Sequence, residues 1–107
     1  MKIVNLTPHT INFIDSCGHI MVQIEPSGNI ARITTDTVVT GEINSIPVTE
    51  TRFGKLENLP SPTENTCYIV SSIVAQRCVG RDDVFVPNEP VRDDHGRVIG
   101  CRSLGKI

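Results

Sequence analysis

Apolar and polar positions alternate most cleanly over residues 10–25. Ile11 and Phe13 flank Asn12, and Ile20, Val22 and Ile24 alternate with Met21, Gln23 and Glu25. A period of two sends successive side chains to opposite faces of a strand, so strands are predicted over residues 10–14 and 19–25. Between them Asp15-Ser16-Cys17-Gly18 has turn chemistry, with Gly18 where positive φ is tolerated. A second hairpin is expected over residues 91–101 around Asp94-His95-Gly96, and Gly100 in its returning strand marks a bulge or a close backbone approach. The most apolar run, residues 66–86, reads as a buried strand at Tyr68, Ile69 and Val70. A short helix over residues 73–78, capped by Ser71 or Ser72 and stopped by Gly80, follows it.

The remaining stretches fit the same scheme. Residues 2–6 predict a first strand, and Thr7-Pro8-His9 bends the chain because Pro8 has no N–H and restricts the residue before it. Strands are expected at residues 30–34 and 46–53, with residues 41–45 as a loop. The stretch 54–65, with two prolines and a glycine, is expected as the longest irregular connection. Val84-Phe85-Val86 is a short strand that Pro87 ends, and Asn88-Glu89-Pro90 is a rigid connection. Many short strands and one late helix give an α+β, mostly β class: antiparallel hairpins in a bent sheet or small barrel, with one short helix near residues 72–79. With 107 residues and no long linker or repeat, residues 1–107 form one domain.

Composition sharpens this in three ways. With no Trp, one Tyr and three Phe, the core is built mainly from Ile, Val and Leu. The net charge of −2, without a helix-turn-helix pattern or basic–aromatic interleaving, gives no surface for a nucleic-acid polymer. There is no basic amphipathic helix for a membrane surface and no apolar run for a span or signal peptide. Cys17, Cys67, Cys78 and Cys101 contain no C-x-x-C spacing, which argues against a zinc ribbon or redox pair. Free thiols in a reducing cytosol are expected, with Cys67 and Cys78 as small core residues.

Candidate chemistry lies with the cations. Seven of the ten are Arg, and Arg77, Arg81, Arg92, Arg97 and Arg102 fall late in the chain. A guanidinium fork suits phosphate or carboxylate, although pairing with Asp82, Asp83, Glu89, Asp93 and Asp94 inside the chain is the simpler use. Ser71-Ser72 at a helix start with Arg77 and Arg81 nearby is the strongest anion-binding candidate. Walker and Rossmann glycine motifs are absent. Asp93-Asp94-His95 offers metal-ligand residue types, but turn chemistry explains them, and no metal or other cofactor is expected. His9 has no local nucleophile motif, and no catalytic residue is assigned.

The chain also resembles a family of small bacteriophage and prophage proteins without a settled activity. The resemblance runs nearly end to end. It rests on NLTPH at residues 5–9, EPSGNIAR at 25–32, GEINSIPV at 41–48, LPSP at 59–62, YIVSSIVAQ at 68–76, RDD at 81–83 and VRDDHGRVIGC at 91–101. Arg77 and Cys78 depart from it, standing where Ala and a small residue are usual, which makes Arg77 a weaker site candidate than Arg81. The resemblance implies a phage protein acting in the bacterial host cytoplasm, and among such proteins are compact anti-defence sponges that sequester a nucleotide immune signal. On that reading the chain is a non-enzymatic homo-oligomer that binds a phosphorylated nucleotide-like molecule through Arg32, Ser71, Arg81, Asp83, Phe85 and Arg92. These would supply phosphate contacts, ribose contacts and a stacking plane. The alternatives are a small hydrolase acting on a cyclic nucleotide with His9 and a carboxylate, and a structural or host-protein-binding phage protein.

Overall fold

A computed structural model describes residues 1–107. It holds eight strands and one helix: β1 Lys2–Asn5, β2 Ile11–Ile14, β3 Ile20–Ile24, β4 Arg32–Ile43, β5 Ile46–Glu57, β6 Thr66–Ile69, α1 Ser72–Gln76, β7 Val84–Arg92 and β8 Val98–Gly105. Six strands form one mixed sheet in the order β1-β6-β7-β8-β2-β3, and β4 and β5 pair only with each other. The class is α+β and mostly β, with antiparallel hairpins at β2–β3 and β7–β8. The pairs β1–β6, β6–β7 and β2–β8 are parallel, which the chain achieves by long crossings between them. No helix is long and apolar enough to cross a membrane.

The core forms where the most apolar run meets its neighbours. Leu6, Ala31, Tyr68, Val70, Val74, Ala75, Cys78 and Val84 make one buried cluster. Val70 and Val74 sit at its centre, so the strand, helix and following strand share one hydrophobic layer. The helix is shorter than expected. It ends at Gln76, Arg77 serves as C-cap, and a turn continues to Gly80 at φ 99°. Ser71 is the N-cap residue but its hydroxyl makes no capping hydrogen bond.

Asn5 fixes the N-terminal bend. It is buried, and its amide donates to the carbonyls of His9 and Ile24 at 2.7 and 3.1 Å. Its Oδ1 accepts from the Thr7 amide and hydroxyl at 2.9 and 2.7 Å. Every bonding position of this buried amide is used, so it staples the Thr7-Pro8-His9 turn to the end of β3.

Two expectations are corrected. Strand β7 does not stop at Pro87; it runs through Pro87 and Pro90 to Arg92. Its register with β6 covers only Val84 and Phe85, while its register with β8 runs from Val86 to Arg92. Past Phe85 one side of β7 is an edge, where a residue without N–H is tolerated. Residues 54–57 are not the start of an irregular connection but the end of a twelve-residue β5, and residues 32–43 are one twelve-residue β4. The turn between them is Asn44-Ser45, with both residues at positive φ (49° and 65°), a two-residue hairpin of the primed kind. Beyond residue 34 this ribbon is exposed almost throughout, so it stands off the sheet as an arm.

Candidate functional site

The six residues singled out for ligand contact are put to several different uses. Arg32 begins β4, and its Nε donates to Glu57 across the base of the arm at 3.2 Å. Arg81 donates from Nε and Nη2 to both oxygens of Asp83, at 2.9 and 2.7 Å, and from Nη1 to the Pro60 carbonyl at 3.0 Å. This two-pronged pair is mostly shielded from water, with side-chain exposures of 22% and 17%. The Arg81 hydrogen bonds hold the Asp83 carboxyl below the usual carboxylate range against the opposing effect of burial, and the same bonds raise Arg81. The Asp83 carbonyl also accepts from the Tyr68 amide of β6 at 2.8 Å, so the pair fastens Pro60 to the place where β6 meets the start of β7.

The others lie apart. Arg92 donates from Nη1 to the Gly96 carbonyl at 2.8 Å, closing the β7–β8 turn. Phe85 is half-buried, with the Lys106 ammonium 6.0 Å from its ring centre, at the outer reach of a cation–π contact. Ser71 is exposed just before a helix of five residues. Arg77 braces the arm instead, donating from Nη2 to the Gly54 carbonyl at 3.0 Å. In the 93–97 turn, Asp93 Oδ1 accepts from the amides of His95 and Arg97 at 2.8 and 3.0 Å, and no group of three or more potential metal-ligating residues gathers in the molecule. Burial raises the thiols of Cys67, Cys78 and Cys101, which keeps them protonated and poor nucleophiles near neutrality.

Two grooves stand out on the surface, and none of those six residues lines either one. The first, about 830 Å3, runs along β1 between the 25–29 loop and the 58–66 connection. Its wall carries Lys2, Glu25, Ser27, Asn29, Asn58 and Tyr68. Local turns build it: Ser27 donates its amide to the Asn5 carbonyl at 2.9 Å, and Asn58, at φ 63°, donates from Nδ2 to the Ile30 carbonyl at 3.1 Å. Tyr68 OH donates to the Thr63 hydroxyl at 3.2 Å. The Lys2 ammonium and the Glu25 carboxylate have no ion-pair partner within the chain. A cation, a carboxylate, amides and hydroxyls around one groove suit a molecule carrying hydroxyls and a negative charge. The second groove, about 960 Å3, lies over β2, β3 and β8 and is mainly aliphatic.

Comparison with known protein families, curated proteins and solved structures returned no match.

The polar groove was not legible in the sequence. Its wall comes from residues 2–6, 25–29, 58–60 and 63–68, which no local motif links. One signal was present: the polar, turn-forming stretches at 25–29 and 58–65 have few side chains that a core would claim.

Proposed function

We propose that the protein is a binding protein that captures a phosphorylated, nucleotide-like small molecule and works as a homo-oligomer. The observation that carries this is the polar groove along β1, whose volume lies within the range of small-molecule sites. Lys2 is the phosphate contact in this reading. Glu25, Asn29 and Asn58 hold hydroxyls or a base edge, since carboxylates accept from hydroxyls and amides both donate and accept. The guest contact thereby moves from the late arginines to the first strand, because Arg32 and Arg81 are engaged by Glu57 and Asp83. Sequestration of a nucleotide immune signal by a phage protein in the host cytoplasm is the biological setting that the resemblance suggests.

The test is depletion and recovery. The protein is incubated with cyclic ADP-ribose-type compounds and cyclic dinucleotides, filtered, then heated to release what it holds. Recovery of an intact compound is expected, and Lys2→Glu should weaken capture about ten-fold, the scale of one lost charge-assisted contact. Arg92→Ala should leave capture unchanged. Release of a cleaved product would replace this reading with the hydrolase, and no depletion of any compound would overturn it.

A further inference from the structure

The β4–β5 arm has one face that nothing in the chain covers. In the hairpin register Ile43 lies opposite Ile46, Gly41 opposite Val48 and Val38 opposite Glu50, so Val38, Ile43, Ile46 and Val48 share a face near the tip. Ile43 and Ile46 are each 65% exposed. Glu50 shares that face at its base, opposite Val38, and the other face of the same stretch carries Thr37, Val39, Glu42, Pro47, Thr49 and Thr51. With Ile43, Ile46 and Val48 all turned to water, the tip of this face has no partner within the chain.

The same chain carries a counterpart. The aliphatic groove over β2, β3 and β8 is lined by Ile11, Ile20, Pro87, Pro90, Val98 and Ile99, and Ile20 and Val98 are each 57% exposed. We propose that the distal β4–β5 arm docks in this groove on a second copy of the chain, with the two copies exchanging arms about a two-fold axis. Self-association in the functional reading above is what this deepens; its ligand plays no part.

Charge and area select a second copy and this pose. Between Thr37 and Thr51 the arm carries Glu42 and Glu50 and no cation. Packing this face against its own copy would bring the two Glu50 carboxylates into one interface, which is unfavourable. The groove is lined by no acidic residue. At its margins, Arg97 next to Val98 and Arg102 next to Cys101 have no carboxylate partner, the Arg102 guanidinium donating only to the Asp15 carbonyl at 2.7 Å. The face from Val38 to Ile43 is about 17 Å long and about 10 Å wide, and buries on the order of 250 Å2 on each side. Two reciprocal arms then bury about 1,000 Å2 in total, at the threshold for a specific interface. A two-fold exchange is closed, so each groove and each arm is used once.

Light scattering during size-exclusion chromatography tests the proposal, together with nucleotide capture measured separately. The wild-type chain of 11.7 kDa should run at twice that mass. The Ile43→Asp/Ile46→Asp variant and Val98→Asp should each weaken the dimer by about ten-fold or more, the scale of losing a buried apolar anchor. Melting of the arm variant at single-chain dilution should match wild type, because the tip contributes nothing to the core. In a Cys17→Ser background, a chain with Ile46→Cys mixed with a chain bearing Ile99→Cys should give a disulfide-linked pair on oxidation. A single-chain mass for the wild type, a dimer unaffected by either substitution, or a link formed between two Ile46→Cys chains in preference would each overturn it. Arm exchange can fail while ligand capture persists, and the reverse, so the two proposals are separable.

Discussion

Arg81 and Asp83 show why residue type does not fix residue use. Both have the chemistry of ligand contacts, and two positions apart on the approach to β7 they satisfy one another through two hydrogen bonds. Removing either partner strands a partly buried charge, so Arg81→Ala should cost about 2–3 kcal/mol by chemical denaturation. The pair also predicts an acid dependence. The folded Asp83 carboxyl titrates below its unfolded value, so its contribution is fully present above the unfolded pKa of about 4 and is lost as pH falls through the folded one. Wild-type stability should therefore decline on acidification below about pH 4 more steeply than that of Asp83→Asn, measured by urea unfolding at stepped pH. Equal slopes would show that the pair contributes nothing to the pH dependence.

At the scale of the element, β8 is held against β2 by an absent side chain. A Cβ on Gly100 would lie 2.6 Å from the Asn12 carbonyl oxygen and 2.6 Å from Ile14 Cδ1, where β8 and β2 run side by side in parallel. Gly100→Ala should push these strands apart and cost about 1–3 kcal/mol, as overpacked interiors do. Gly96→Ala should cost less: nothing lies within 4 Å of its Cβ position, and only the φ of 79° resists the change. Parallel melts by circular dichroism give the order. Both hairpins of the sheet were legible because alternation and turn residues are local signals. The close approach at Gly100 was legible too, as a glycine without a turn to explain it. The length of β4 and β5 was not, since Asn44-Ser45 is a weaker hairpin signal than Asn-Gly and residues 54–57 carry no alternation that a core enforces.

The whole molecule is wide for its length. Its radius of gyration is 16.9 Å, against about 13 Å for a compact chain of about 100 residues. The arm accounts for the excess, because only 14 residues are buried and none of them lies between Arg32 and Leu59. Replacing residues 36–52 by a two-residue Asn-Gly turn should leave the melting temperature within a few degrees of wild type at single-chain dilution, while the measured radius falls towards the compact value. A large drop in melting temperature would mean that the distal arm supports the core after all. Of the candidate site, the sequence made the residue types visible and offered the pairing of Arg81 with Asp83, but it left hidden that Arg32 meets Glu57 across 25 positions and that the groove along β1 joins four separate stretches.

The sequence by itself determined the β-rich class, the two tight hairpins of the sheet, the position of the core at residues 68–78 and the inert character of the cysteines buried there. Those follow from side-chain period, turn chemistry and apolar content, each of which acts over a few residues. Only the tertiary structure decided which strands run parallel, that residues 32–57 leave the sheet as an arm, and which of the arginines meet a carboxylate. Those outcomes depend on contacts between distant residues, and loop closure and packing select among pairings that the local pattern leaves equal in energy.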